Sequence, residues 1–368
     1  MKHSLPILIF IHRLVRFAVI GATIAYWLFP SAAFSQPSDA LAPHFSGKTV
    51  TIIVGSGPGG GYDIFGRLVA RFGAKYLPGN PRFVVQNLAG AGGLRGFRAA
   101  MKAKPDGLTI GQVRPRFVTR TLFGVDVPDF DLKTLKILGT PSFAPREGLF
   151  CTRRTVATSW EGVLKLGRPV SIGRSAPGGL GTTLGPEFVE AMGGPIKIID
   201  GYDGAAESMA AIDRGELEGT QHCLEGMVTR LYPQWIERKF VAPIFWWDSK
   251  PSQDYIRRLG ASMPPHIAEA VGATAEQKKA LEVAMGFGHM GRLFVVPPGV
   301  EERIYQAWRS AFEAMVRDPE FKKAAEVAGE VVGLGTADDF WKNIKVFESL
   351  SPEANELVKK MAGIHLLK

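Results

Sequence analysis

Three stretches of this chain place small residues between a strand and a helix, where backbone donors can gather around an anion. They are Gly55-Ser56-Gly57-Pro58-Gly59-Gly60-Gly61-Tyr62-Asp63, Gln86-Asn87-Leu88-Ala89-Gly90-Ala91-Gly92-Gly93, and Arg174-Ser175-Ala176-Pro177-Gly178-Gly179-Leu180-Gly181-Thr182-Thr183. Glycines at such a junction let peptide N–H groups converge, and the positive end of the following helix adds to the attraction. A single turn of this kind is weak evidence, because an ordinary strand-to-helix connection has the same composition. The first also lacks the Gly-Lys-Ser/Thr ending of a phosphate loop, and no acid closes a ribose-binding strand. Two such turns in consecutive β-α units are more specific, since they would stand side by side at one sheet edge.

Several side chains could join them. Tyr202 and Asp203, in Gly201-Tyr202-Asp203-Gly204, either wall and bond a ligand or form a turn whose Asp caps the next helix. Thr182 and Thr183 either reach a ligand or act as simple N-caps. Arg114 and Arg116, just past a strand, are the nearest cations for a carboxylate, which a guanidinium binds bidentately, unless they are solvated surface charges. His222 stands at a strand end and is either a ligand contact or a structural histidine, and Glu216 and Glu218 flank a turn as solvated carboxylates. Catalytic patterns are thin: there is no Gly-x-Ser-x-Gly elbow and no His-Glu-x-x-His, and the histidines have no metal-ligand spacing. The expectation is a non-enzymatic binder with no catalytic residue, metal or cofactor.

The elements that must position these residues are legible from periodicity. Strand 49–54, helix 62–75, strand 82–87, helix 94–103 and strand 109–113 read as βαβαβ with the special residues at the carboxyl ends of strands, where open α/β sheets place ligands. A second section repeats this logic with strands 148–152, 170–173 and 196–199, helices 184–192 and 205–214, and a strand at 241–246. Segments 275–287, 301–317 and 319–328 have helical spacing, with Asp318-Pro319 as stop and start, and this tail is expected to pack on the first section. The pieces 262–265 and 296–299 read as connectors. The chain exceeds the roughly 250–300 residues at which one core stops growing, so two lobes are expected, with the ligand between them.

Lys2, Arg13 and Arg16 precede the apolar run 17–29 and the small residues Ser31-Ala32-Ala33, the layout of a secretory signal peptide cleaved after Ala33 or Ser35. A retained anchor fits less well, because a run of thirteen residues falls short of the roughly twenty a span needs. The net charge of +9 becomes +6 once those three cations leave, with no acid before residue 36. The cations are scattered and export is expected, which argues against a nucleic-acid partner. Cys151 and Cys223 are the only cysteines; spacing leaves open whether they pair or stay separate thiols.

In order along the chain, 54–67 with Gly-Gly-Gly-Tyr-Asp, 86–96 with Asn87 and Gly-Ala-Gly-Gly, Pro105-Asp106-Gly107-Leu108-Thr109, Ser-x-Pro-Gly-Gly at 175, Gly-Tyr-x-Gly at 201, Arg214-Gly215-Glu216-Leu217-Glu218-Gly219, Pro297-Pro298-Gly299-Val300 and Asp318-Pro319 form a series. That series resembles the substrate-binding receptors of tripartite tricarboxylate transporters, the Bug family. The resemblance implies an α/β, two-lobed periplasmic binding protein of type II, a Venus flytrap with hinge crossovers, working as a monomer with a small and a large integral membrane transporter subunit. It implies a signal peptide over 1–35, one lobe of 46–145 with 247–368, and the other of 146–246. It further implies that a small organic anion is held mainly by backbone groups and water at Gly59, Gly60, Gly61, Asp63, Gly90, Ala91 and Gly92. Ser175, Gly178 and Thr182 would lie opposite, with Tyr202 and Asp203 beside them. Ser56 and Arg114, at the expected rim, depart from the residues common in the family, so its usual ligand preference does not transfer. A receptor presenting its closed form to a signalling partner is the alternative.

Overall fold

Every residue of Thr49–Val54 (β1) is β-branched, a composition that favours extended backbone. The computed structural model describes residues 39–367 except 146, 175–176, 178–179, 181–183 and 203–204, and the segment expected to direct export lies outside them. β1 is bonded in parallel on both edges, to β2 (Arg82–Asn87) and β3 (Thr109–Val113), and Val50, Ile52 and Val54 are fully buried. β4 (Lys136–Gly139) forms the far edge, and a late strand, Leu293–Val296, runs antiparallel between β3 and β4. Helices α1 (Gly61–Tyr76) and α2 (Leu94–Met101) supply the crossovers that parallel strands require, and α3 (Pro115–Leu122) follows β3 with Pro115 in its first turn.

The second group of strands centres on β5 (Glu147–Arg153), paired antiparallel with β8 (Gly219–Thr220) and β9 (Val241–Asp248). β6 (Val170–Arg174) and β7 (Ile196–Asp200) form a parallel pair, linked toward β8 by the Glu218 N–H donating to Ser171 O at 3.1 Å. Helices α4 (Leu184–Ala191), α5 (Ala205–Arg214) and α6 (Glu225–Leu231) accompany them. The chain ends in α7 (Ala275–His289), α8 (Glu302–Arg317), α9 (Pro319–Val327), α10 (Ala337–Glu348) and α11 (Pro352–Met361).

The expectation that the whole tail packs on the first section is met by α8 and α9, which lie over α1 with Phe65, Phe72, Trp308, Phe312 and Phe321 in one core. Helices α7 and α11 pack on each other and on α4, in a second core that also takes in Val113, Ile137 and Leu293 of the first sheet. That core runs from Phe97 and Phe117 beside the first sheet to Phe245 beside the second, through Phe287 and Val358. Two family-like motifs have local physical causes. Gly107 has φ +74° and stands where a Cβ would lie 2.4 Å from Ile304, while its carbonyl accepts from Trp308 Nε1 at 2.8 Å. Asp318 caps α9 through Glu320 N–H at 2.8 Å and accepts from Lys75 Nζ at 2.9 Å, tying α9 to α1.

The pairing left open for the cysteines is resolved: Cys151 on β5 and Cys223 just past β8 are fully buried and joined as a disulfide. Glu218 is also less solvated than its flanking position suggested. Its carboxylate binds Arg168 at 2.7 and 2.8 Å, whereas Glu216 pairs with Arg214 at an exposed site. Among the described residues no helix is long and apolar enough to cross a membrane.

Candidate functional site

β1 and β2 run in register to their last residues, Val54 opposite Asn87, so the two glycine turns leave the sheet at the same level. They touch through bare backbone. A Cβ on Gly55 would meet Gly93 O at 2.8 Å, and one on Gly96 would meet Gly55 Cα at 2.7 Å. The second turn is a run of left-handed residues, Gly90 (φ +127°), Ala91 (+48°), Gly92 (+62°) and Gly93 (+97°). Three of the four are glycines, which adopt this backbone without steric cost. Gly96→Ala is expected to destabilise the protein by about 1–3 kcal/mol, the range for overpacking, whereas Gly60→Ala, with open space around it, leaves stability within about 0.5 kcal/mol. Urea unfolding of the two variants provides the comparison.

A polar staple fixes the turns to each other. The buried Asp63 carboxylate accepts from Gly59 N–H, Arg67 Nε and Asn87 Nδ2, each at 2.9 Å, and Asn87 Nδ2 also reaches Ser56 O at 3.0 Å. Burial alone pushes the Asp63 carboxyl up, but the bonds from Arg67, Gly59 and Asn87 outweigh it and hold the group below its ordinary range. Asp63 is therefore engaged by the scaffold of the turns, a positioning arrangement, while Gly59, Gly60, Gly90, Ala91 and Gly92 are exposed.

The third element at this edge is the start of α3. Arg114 lies over the Tyr62 ring at 4.7 Å, with Nη2 3.4 Å from Gly55 O. Its Nε is 2.6 Å from where a Gly93 Cβ would be. Arg116 stands against Gly92, its Nη1 2.8 Å from the corresponding Cβ position. Arg120, one turn further on, donates from Nη2 to Pro177 O at 3.2 Å, so α3 touches the loop after β6 directly. Burial first, then the charges of Arg114, Arg120 and Arg174, pull the Arg116 guanidinium below its ordinary value. Arg292 stacks beside the same Tyr62 ring but is paired with Glu330 at 3.0 Å.

On the facing side Arg174, at the end of β6, is buried and bonded to Asp200 at 2.9 Å and Glu187 at 3.2 Å. Tyr202 donates its backbone N–H to Arg174 O at 3.1 Å, and its ring occupies the space that a Gly173 side chain would fill. Ser175, Gly178, Thr182 and Asp203 lie outside the described residues. His222 is buried, and its Nε2 is 2.9 Å from Gln221 Nε2, which also donates to Gly173 O at 3.1 Å. The amide being the donor, His222 accepts on Nε2 and serves as a structural histidine; burial holds its pKa at about 4. Surface hollows at Thr49, Asn80 and Arg82, and at Arg168 and Gly194, sit at the opposite, amino ends of the strands.

Sequence reading missed Arg120 and passed over Arg174 within its turn. The signal for Arg120 was present: Arg116 and Arg120 are four apart, hence on one face of a helix. That helix is eight residues long and marked only by Pro115, too short for its periodicity to stand out.

No protein-family model matches the chain. A curated relative, the UPF0065 protein in gbd 5'region of Cupriavidus necator, is 32% identical over 102 residues, 28% of this chain. The chain thus spans 29% of the length of the curated relative it matches. Among solved structures, R. palustris Rpa4515 with adipate is 21% identical, with TM-score 0.60 over 86% of this chain and 98% of that one. Periplasmic binding protein BugD is 20% identical, with TM-score 0.57 over 88% and 98%. A TctC solute binding protein from Polaromonas is 15% identical, with TM-score 0.56 over 87% and 99%. The chain has the α/β fold of these TctC and Bug periplasmic binding proteins.

Proposed function

We propose that this chain is a periplasmic solute receptor of the TctC and Bug type, which captures a small organic anion of the carboxylate class and delivers it to a tripartite membrane transporter. In this reading residues 46–145 and 247–368 form one lobe and 146–246 the other, with 1–35 removed on export. The observation that carries it is the meeting of two glycine turns at one sheet edge, with Arg120 bonded across to Pro177 of the loop that follows β6. Backbone N–H groups of Gly60, Gly61 and Gly90 to Gly92 offer neutral donors to a carboxylate, the Gly59 N–H being held by Asp63, and the wall that carries Tyr202 closes from the other side. A ligand touching both lobes stabilises the closed form by its differential affinity for it. Many neutral donors and trapped water give affinity while still permitting release. The protein binds and releases its guest unchanged, and Rpa4515 with adipate supports the carboxylate class.

Native mass spectrometry of protein purified from the periplasm tests this. The expected spectrum shows one small organic acid per chain, lost on mild unfolding. A protein that converts the bound compound, or that retains no acid and binds none from a metabolite extract, would reject the reading.

A further inference from the structure

We propose that the free edge of β2 is a docking site for an extended, acidic segment of a partner protein, which adds a strand to the five-stranded sheet. β2 is the outer strand, bonded on one side only, to β1. Arg82 N–H donates to Lys48 O at 3.0 Å and Leu88 N–H to Val54 O at 2.8 Å, so the even-numbered residues turn their backbone groups toward β1. The alternation of a parallel ladder then turns the N–H and C=O of Phe83 and Val85 outward. Sheet edges are commonly blunted by brevity, proline, bulges or charge. β2 is six residues long in unbroken register, has no proline within it, and leaves Val84 47% exposed. Beside it lies a surface hollow lined by Ala70 and Ala74 of α1 and by Arg82, Phe83 and Val84. The alanines leave room for the side chains of an added strand.

Charge identifies the occupant. Residues 64–105, which include most of α1 and all of β2 and α2, hold eight Lys or Arg and no Asp or Glu. Arg67 is neutralised by Asp63, Lys75 by Asp318, and Arg98 and Lys102 by Asp129. Arg71 and Arg82 are exposed and join no ion pair among the described residues. Positions 70, 71 and 74 share one face of α1, so Arg71 stands beside the alanines, while Arg82 opens β2. An acidic strand gains charge-assisted bonds from both guanidiniums in addition to backbone bonds from the sheet edge. A second copy of this chain, pairing edge to edge, would bring like charges together. The hollow is at the amino ends of the strands, away from the glycine turns, so docking here is separate from anion capture and stands without the receptor reading.

Fluorescence anisotropy of a labelled octapeptide alternating Glu and Val, titrated with the full exported protein, tests the site. Saturable one-to-one binding is expected, about 10- to 100-fold tighter than that of the Gln and Val counterpart, the range for a hydrogen bond to a charged group. N-methylation of alternate peptide amides, which removes the donors along one edge, is expected to abolish binding. Arg71→Gln with Arg82→Gln should erase the preference for the acidic peptide and leave stability to urea within about 0.5 kcal/mol, as for other surface changes. Failure of the acidic peptide to bind, equal binding of both peptides, or undiminished binding of the N-methylated form overturns the proposal. Displacement of the peptide by phosphatidylglycerol vesicles would assign the surface to a membrane, and a dimer broken by the double variant would assign it to a second copy. Either result overturns it too.

Discussion

Replacing both cysteines, Cys151→Ala with Cys223→Ala, is expected to lower the stability of the second group of strands by about 4 kcal/mol, the chain-entropy value for a loop of this length. The two positions are 72 residues apart. The bond thus closes a loop holding β6, β7, α4 and α5. Both half-cystines are fully buried in a core with Leu149, Met209, Ile212, Trp235 and Tyr255, so the alanines also remove packing. Urea unfolding with and without reductant, alongside the double variant, measures the loss. Hydrogen exchange should place it in β5, β8 and the residues after Thr220. A change below about 1 kcal/mol, or one confined to the five-stranded sheet, would contradict this.

The second large effect concerns pH. Burial pushes the Glu147 carboxyl up to about 7, with the Glu225 charge adding to the rise and the hydrogen bond from Glu225 N–H working against it. The folded protein therefore holds a proton there that the unfolded chain gives up. The stability that Glu147 contributes is present below pH 4.5 and lost as pH rises to about 7. His222 behaves in the opposite sense. Its folded pKa of about 4 lies below the ordinary 6.5, so its contribution is present above pH 6.5 and lost as pH falls to about 4. Each difference converts to about 3 kcal/mol, and between pH 4.5 and 6.5 the two slopes oppose.

Single variants uncouple them. Glu147→Gln keeps an acceptor for Glu225 N–H and is expected to gain stability over wild type as pH rises through this window. His222→Gln keeps an acceptor for Gln221 and gains over wild type as pH falls. Difference curves from chemical unfolding at several pH values isolate each group from the rest of the titration. Variants whose stability tracks wild type at every pH would show that neither site carries the assigned burden.

The first β-α units were readable because their signals are local and redundant: an all-β-branched β1, a glycine turn, then amphipathic helix. The repeat of that order at β6 and β7 was readable for the same reason. Leu293–Val296 was not, since a four-residue apolar run has no alternation to distinguish it from a connector, and its place between β3 and β4 is a tertiary fact. Helices α10 and α11 carry caps that sequence reading passed over, Thr336 with Asp339 and Ser351 before Pro352. At the site, the glycines and Arg114 could be named from their position after strands. That Asp63 turns inward to hold Gly59 and Asn87 could not, because its partners come from different elements. The choice between paired and separate cysteines needed the pairing of β5 with β8, which spacing does not encode.

Amide spectra of isotopically labelled protein, titrated with succinate, glutarate and adipate, address the glycine turns most directly. The expected result is that the signals of Gly59 to Gly61 and Gly90 to Gly92 move together, along with Tyr202 across the cleft, and saturate at one ligand per chain. Saturable binding that leaves both turns unmoved would contradict a shared anion cradle.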